Sequence, residues 1–330
     1  MAPSDINEIY ISSSPHYKSK SSTQKTMLTV IISMLPIVIA SIVIFGFAAL
    51  EVVLTSVISC VVFEAAFQKL TKKTIRINDL SAVVTGLMLA CVLPAGAPVW
   101  ETILGSLVAI VVAKEFFGGL GSNVFNPALI GRAFMFVSFP VAMGSAWLQP
   151  GTDVVSGATV LSQLKAGTSV VATKSTYLQF LLGNRAGCLG ETSIALILLA
   201  FIVLTALKII DWRAPVAMVL TVAIGTIIAG GDVILALLSG GLLFGAVFMV
   251  TDYATTPVTK KGRLIFGFGA GLITFLIRQF GSYPEGVMFS ILIMNAVAPF
   301  LNNLMSRKYG YEKDNKTPRM VQKSSKKDTK

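Results

Sequence analysis

The sequence predicts an all-α protein that crosses a membrane many times, and three observations carry that expectation. Apolar residues make up 54% of the 330-residue chain and charged residues only 13%, about half the charged share of an ordinary soluble domain. The apolar residues gather into ten runs, with the charges in the gaps between them. The cations also favour alternate gaps, as the positive-inside rule requires of a multi-span chain.

Residues 1–26 are a polar arm. No charged start, apolar stretch and cleavage site precede the first run, so no removable signal peptide is expected. A crossing helix needs roughly 20 apolar residues, rising about 1.5 Å each, to cover about 30 Å of hydrocarbon. On that measure the spans are approximately 27–46, 47–68, 80–93, 100–117, 128–143, 192–210, 215–229, 233–250, 264–280 and 286–305. The third is too short to cross and runs into Leu93-Pro94-Ala95-Gly96-Ala97-Pro98. The eighth runs into Thr251-Asp252-Tyr253-Ala254-Thr255-Thr256-Pro257. Backbone that is not helical at membrane depth survives only when buried in protein or lining a wet cavity. The two broken spans are therefore where an interior ion pathway is expected.

Five spans (27–143) precede a polar insertion, 144–191, and five (192–305) follow it, before a basic tail, 306–330. An odd number per half turns the halves in opposite directions, the arrangement of two inverted five-helix repeats. Placing both termini in the cytoplasm puts 23 cations on the inner side, Lys114 and Arg132 among them. Only Lys165, Lys174, Arg185 and Arg278 remain outside. The insertion is then extracytoplasmic. The net charge of +11 lies in loops and tail, which speaks for a bilayer and against nucleic acid. Cys60, Cys91 and Cys188 form no CxxC pair and His16 is the sole histidine. Neither a metal cluster nor a haem is expected from this chain alone.

Chemistry concentrates in the insertion, at Asp153-Val154-Val155-Ser156-Gly157-Ala158-Thr159. Gly157 lets the backbone approach a bulky partner, and Thr159 presents one hydroxyl on a solvent-reachable loop. The competing reading is a turn followed by a helix cap. A second stretch, Gly118-Gly119-Leu120-Gly121-Ser122-Asn123 to Asn126-Pro127-Ala128-Leu129-Ile130-Gly131-Arg132-Ala133, either offers backbone N–H groups and Arg132 to an anion or simply allows close helix packing. Asp252 is either paired, hydrated or cation-bound at the end of a broken span, or exposed and screened by Lys260 and Lys261. Glu285, in Tyr283-Pro284-Glu285-Gly286, reads as an outer helix-start carboxylate before an ion ligand.

Together with Ser12-Ser13-Ser14-Pro15-His16 and Gly190-Glu191-Thr192-Ser193, these stretches resemble one family from residue 12 to about residue 302. It comprises the D subunit of the Rnf ferredoxin:NAD oxidoreductase and the B subunit of the sodium-translocating NADH:quinone reductase. The absence of a long amino-terminal extension favours the former. The resemblance implies FMN bound through its phosphate to Thr159, attached by a separate flavin transferase. Asp153 would act in attachment or orient the loop, and Ser156, Gly157 and Ala158 would let the phosphate settle, with Arg132 contributing to binding. It also implies electron transfer between ferredoxin and NAD coupled to Na⁺ or H⁺ movement, as one part of a translocase without a complete catalytic site of its own. Flavin and iron–sulfur subunits would be its partners in the cell membrane. A second, noncovalent flavin such as riboflavin is implied by the quinone-reductase relatives. Asp252, Asn126 and Glu285 are the candidates for the ion pathway. A urea-type solute channel and a purely structural scaffold are the alternatives.

Overall fold

A computed structural model describes residues 22–151, 155–156, 159–165 and 174–305. The chain opens with two long helices, α1 (Thr23–Phe45) and α2 (Phe47–Leu70), split at Gly46. There φ is +68°, a conformation that glycine adopts without strain. Helix α3 (Ser81–Val92) is short, as expected, and gives way to irregular backbone before α4 (Val99–Leu107). Helix α4 continues as a π-helical turn, Val108–Glu115. The fifth expected span is two helices, α5 (Pro127–Ser138) and α6 (Pro140–Ser145). Pro140 lacks the N–H that would continue α5, so the chain turns there.

The insertion carries a two-stranded antiparallel ribbon, β1 (Trp147–Leu148) with β2 (Val155–Ser156), and two helices, α7 (Val160–Lys165) and α8 (Lys174–Leu182). Then follow α9 (Ile194–Ala206) and α10 (Arg213–Ile228). The eighth expected span breaks within itself as well as at its end. Helix α11 (Val233–Leu238) stops at Ser239-Gly240-Gly241, and α12 (Leu242–Phe244) runs into a second π-helical turn, Gly245–Met249. Two long helices close the described chain, α13 (Lys260–Phe280) and α14 (Val287–Met305).

Among the described residues, α1, α2, α13 and α14 are each long and apolar enough to cross a membrane; α3, α5, α9 and α10 are shorter apolar helices. The protein is therefore mostly helical and of the membrane type. Its burial pattern agrees: Ile202 and Ile228 are 66% and 81% exposed, while Ser41, Ser56 and Asn295 are wholly buried. Apolar groups face outward where lipid would be, and polar groups are enclosed. One hydrophobic core joins α1, α2, α3, α5, α9, α10 and α14. Helix α1 packs on α9 and α5 on α14; α2 packs on α4 and α10 on α13.

The insertion is fastened at both ends. Gly151 N–H donates to Ile44 O (3.1 Å) and Gly96 N–H to Ala146 O (3.2 Å). At its far end Leu189 N–H donates to Leu93 O (3.1 Å), and Cys188 forms a β-bridge with Pro94. The break after α3 is thus stitched to the segment leading into α9.

Lys114 and Arg132, counted above with the inner loop cations, are not loop residues. Lys114 Nζ lies 2.6 Å from Glu64 Oε2, with side chains 2% and 1% exposed, and donates to Ser81 Oγ at 2.6 Å. Gln68 Nε2 bridges Glu64 (3.3 Å) and Glu115 (3.1 Å). The π-helical turn is what allows this, because it directs Ala113, Lys114 and Glu115 all inward.

Candidate functional site

Thr159 precedes α7 and caps it: Thr159 Oγ1 accepts from Ser162 N–H (3.3 Å) and donates to Ser162 Oγ (3.2 Å). The cap reading of this stretch therefore holds. Half-buried Thr159 also lines a cavity of about 380 Å³, within the range of small-molecule and cofactor sites. Lys165 Nζ, at the end of α7, donates to Tyr283 O at 2.6 Å and ties the Thr159 segment to the loop before α14.

One wall of the cavity is aromatic. Phe136 meets Tyr283 edge-on (centroids 5.2 Å) and Phe289 edge-on (6.0 Å), and Tyr283 stacks on Phe289 at 5.6 Å. Trp147 also lines it. Such a surface offers flat π faces to a planar ring.

The same cavity also has charged residues in its lining. Arg132, a turn and a half into α5, reaches Glu285 Oε2 at 2.9 Å and Cys188 Sγ at 3.6 Å. Glu285 Oε1 accepts from Gly241 N–H at 2.6 Å. Glu285 is thus an ion-paired, hydrogen-bonded carboxylate rather than a free helix-start charge. Arg185 donates to Leu238 O (2.7 Å) and Glu191 O (3.0 Å) and lies over the Phe180 ring (4.5 Å). A Cβ on Gly241 would stand 2.8 Å from Glu285 Oε1 and 3.2 Å from Glu191 Oε1. The two carboxylates therefore share one corner, close enough for like charge to hold one of them protonated. Burial first, then the Glu285 charge, pushes Glu191 up to about 7. Burial pushes Glu285 up as well, but Arg132, the Gly241 N–H and Arg278 outweigh it and hold Glu285 below the usual range.

The second expected constellation forms elsewhere. Asn126 caps α5, its Oδ1 accepting from Ala128 and Leu129 N–H (3.1 and 3.3 Å). Its Nδ2 faces Asp252 Oδ2 at 3.5 Å. Asp252 also accepts from Ala254 N–H (3.2 Å) and Thr255 Oγ1 (3.2 Å), and burial pushes it up. Both line a small cavity of about 50 Å³ with Ser81, Asn123 and Lys114. Asn126 and Arg132 are six positions apart along α5, about 9 Å of helix rise between these two lining residues. The structure brings Asn126 to Asp252 and Arg132 to Glu285, but does not bring Glu285 to Asp252.

Of the other expected site residues, Ser156 pairs with Trp147 across the ribbon, while Asp153, Gly157 and Ala158 lie outside the described residues. Sequence reasoning missed Glu191, Arg185 and Ser239 as cavity residues. A carboxylate directly before an apolar span and a Ser-Gly-Gly inside another were the available signals. The three cysteines are free and buried.

The model of the NQR2, RnfD, RnfE family matches residues 10–310. Among relatives, the chain is 45% identical to the D subunit of the Na(+)-translocating ferredoxin:NAD(+) oxidoreductase complex of Acetobacterium woodii, covering 92% of this chain and 96% of the relative. It is 43% identical to the D subunit of the proton-translocating ferredoxin:NAD(+) oxidoreductase complex of Clostridium ljungdahlii (90% and 94% covered). It is 36% identical to the D subunit of the ion-translocating oxidoreductase complex of Stutzerimonas stutzeri (88% and 93%).

Proposed function

Because the chain belongs to the NQR2, RnfD, RnfE family, we propose that it is a membrane electron-transfer protein carrying FMN on Thr159. Its place is in a complex that couples electron transfer between ferredoxin and NAD to ion translocation. The observation that carries the flavin reading is that Thr159 lines the 380 Å³ cavity together with the aromatic cluster and with Arg132 and Arg185. The cavity fits the group in size and in its aromatic lining. Thr159 would hold the phosphate, Phe136, Tyr283 and Phe289 the ring, and Arg132 and Arg185 its polar edge. FMN, when bound, supplies the electron-carrying chemistry. The chain's own residues position it, and the tether keeps it at high effective concentration.

Attachment needs an activated donor. A flavin dinucleotide serves: the bond from Thr159 Oγ1 to phosphorus forms, the pyrophosphate bond breaks, AMP leaves and the hydroxyl proton passes to the transferase. The ester keeps an oxygen that accepts the Ser162 N–H, so the α7 cap survives modification.

The ten-span layout in two inverted repeats, with the Thr159 segment outside the cell and both termini inside, belongs to the same proposal. It is supported by the pairing of α1 with α9 and of α5 with α14. One relative's name specifies sodium and another's protons, so the ion is Na⁺ or H⁺. The Asn126–Asp252 pair beside the second broken span is the candidate for its path.

The test is direct. Protein purified from cells containing a flavin transferase should carry an FMN-sized mass adduct and fluoresce after denaturing electrophoresis. Thr159→Ala should lose both. Fluorescence that persists in the variant removes Thr159 as the site. Dark wild-type protein, with no adduct, removes the flavin role and leaves the channel or scaffold readings.

A further inference from the structure

A further cavity of about 380 Å³ lies where the end of α10 and the end of α13 meet α7 and α11. It backs onto the cavity that Thr159 lines, and Leu161 and Pro284 belong to both. Its lining is divided in character. Val222, Leu235 and Phe275 supply apolar surface, and Lys165 and Arg278 supply cations. Among the described residues neither cation makes an ion pair within 4 Å. Lys165 is exposed, and its Nζ donates to Tyr283 O (2.6 Å), next to Pro284 in the lining. Arg278 Nη1 donates to Ala236 O (2.7 Å), itself a lining residue, and Nη2 to Ser239 O (3.1 Å).

The carboxylates nearby are already engaged. Asp232, in the lining, caps α11 by accepting from Leu235 N–H (3.1 Å), and its other oxygen accepts from the Tyr177 hydroxyl (2.7 Å). Glu285, whose charge also acts on Arg278, is held by Arg132 and the Gly241 N–H. Around the cavity the surface is of the lipid-facing kind. Ile224 and Ile228 on α10 and Leu276 and Phe280 on α13 are all exposed. A ligand that suits this place has an anionic head for the two cations and an apolar tail for the rest.

We propose that the groove holds an anionic phospholipid. Lys165 and Arg278 meet its phosphodiester, and an acyl chain runs out along α10 and α13. Charge complementarity selects an anionic over a zwitterionic headgroup, because no free carboxylate stands ready for a choline or ethanolamine cation. The apolar lining selects a lipid over a free anion. Lys165 ends the helix that Thr159 caps, so a bound lipid steadies the Thr159 segment from the membrane side. The site stands whether or not Thr159 carries flavin.

The experiment uses the full chain, delipidated in mild detergent, with native mass spectrometry counting bound lipid. Wild-type protein should retain one dioleoylphosphatidylglycerol at concentrations where dioleoylphosphatidylcholine is lost. Lys165→Gln should weaken that retention about fivefold, the effect of one cation near an anionic head, and Lys165→Arg should keep it. Lys208→Gln, which removes an exposed cation elsewhere, should change nothing. Thr226→Trp, which fills the groove, should abolish it. Equal retention of the two lipids by wild-type protein, a comparison that needs no variant to fold, overturns the inference. So does a Lys165→Gln protein that binds phosphatidylglycerol as wild type does. Displacement of the lipid by equimolar inorganic phosphate would mark a free-anion site and overturn the lipid assignment.

Discussion

Glu191 is a carboxylate whose surroundings favour its neutral form. It is enclosed at the cavity corner with Glu285 as a like charge, and Arg185, Arg132 and the Cys188 thiol also face it. The folded chain keeps its proton up to about pH 7, whereas the unfolded chain releases it near the ordinary value of 4.5. Between those limits the folded state binds more protons, so stability falls as pH rises. Thermal unfolding of Glu191→Gln against wild type should show the variant gaining about 2 kcal/mol in relative stability from pH 5 to pH 8. A constant difference would mean that Glu191 titrates normally. Lys114 makes a different case, a buried side chain held against the carboxylate of Glu64 at 2.6 Å. Lys114→Met leaves Glu64 buried without its ion-pair partner and should cost about 3–5 kcal/mol; adding Glu64→Leu should restore most of it. Detergent-solubilised melting curves of the single and double variants measure both. Neither residue was legible as a pair in the sequence. Glu64 and Lys114 are 50 positions apart, and only the π-helical turn brings Lys114 inward.

At the level of elements, close helix approach is set by missing side chains. A Cβ on Gly267 of α13 would overlap Ala214 O, and one on Gly271 would fall 2.5 Å from Met218 O. The clashes are with backbone, so α13 cannot yield without moving off α10. Gly267→Leu should cost about 1–3 kcal/mol and lower the yield of monodisperse protein by size-exclusion chromatography, while the exposed Ile228→Leu should do neither. Helix positions were legible from the apolar runs because length and hydropathy alone locate such segments. The break after α3 was legible too, from its two prolines. The break at Ser239-Gly240-Gly241 was not, because glycines in apolar runs more often mark packing than interruption. The split of the fifth span followed from Pro140, a signal present in the sequence but outweighed by the run around it. Thr159, Arg132 and Glu285 were each picked out singly by their chemistry. That they converge depends on contacts more than 100 positions apart, which no local pattern encodes.

For the whole molecule, the arrangement places two polar cavities along one helix, with α5 contributing Arg132 to the first and Asn126 to the second. The insertion contributes Thr159 and the residues around Glu191 to the first, so it is a wall of the interior rather than an appendage. Its fastening to the body by Gly151, Ala146, Leu189 and the Pro94–Cys188 bridge has a practical consequence. Covalent continuity through the insertion is not what holds the two halves side by side. If the gene is severed between codons 168 and 169 and the pieces are produced together in one cell, they should co-purify through an affinity handle on either fragment. The reconstituted pair should also retain Thr159 in its pocket, still open to modification.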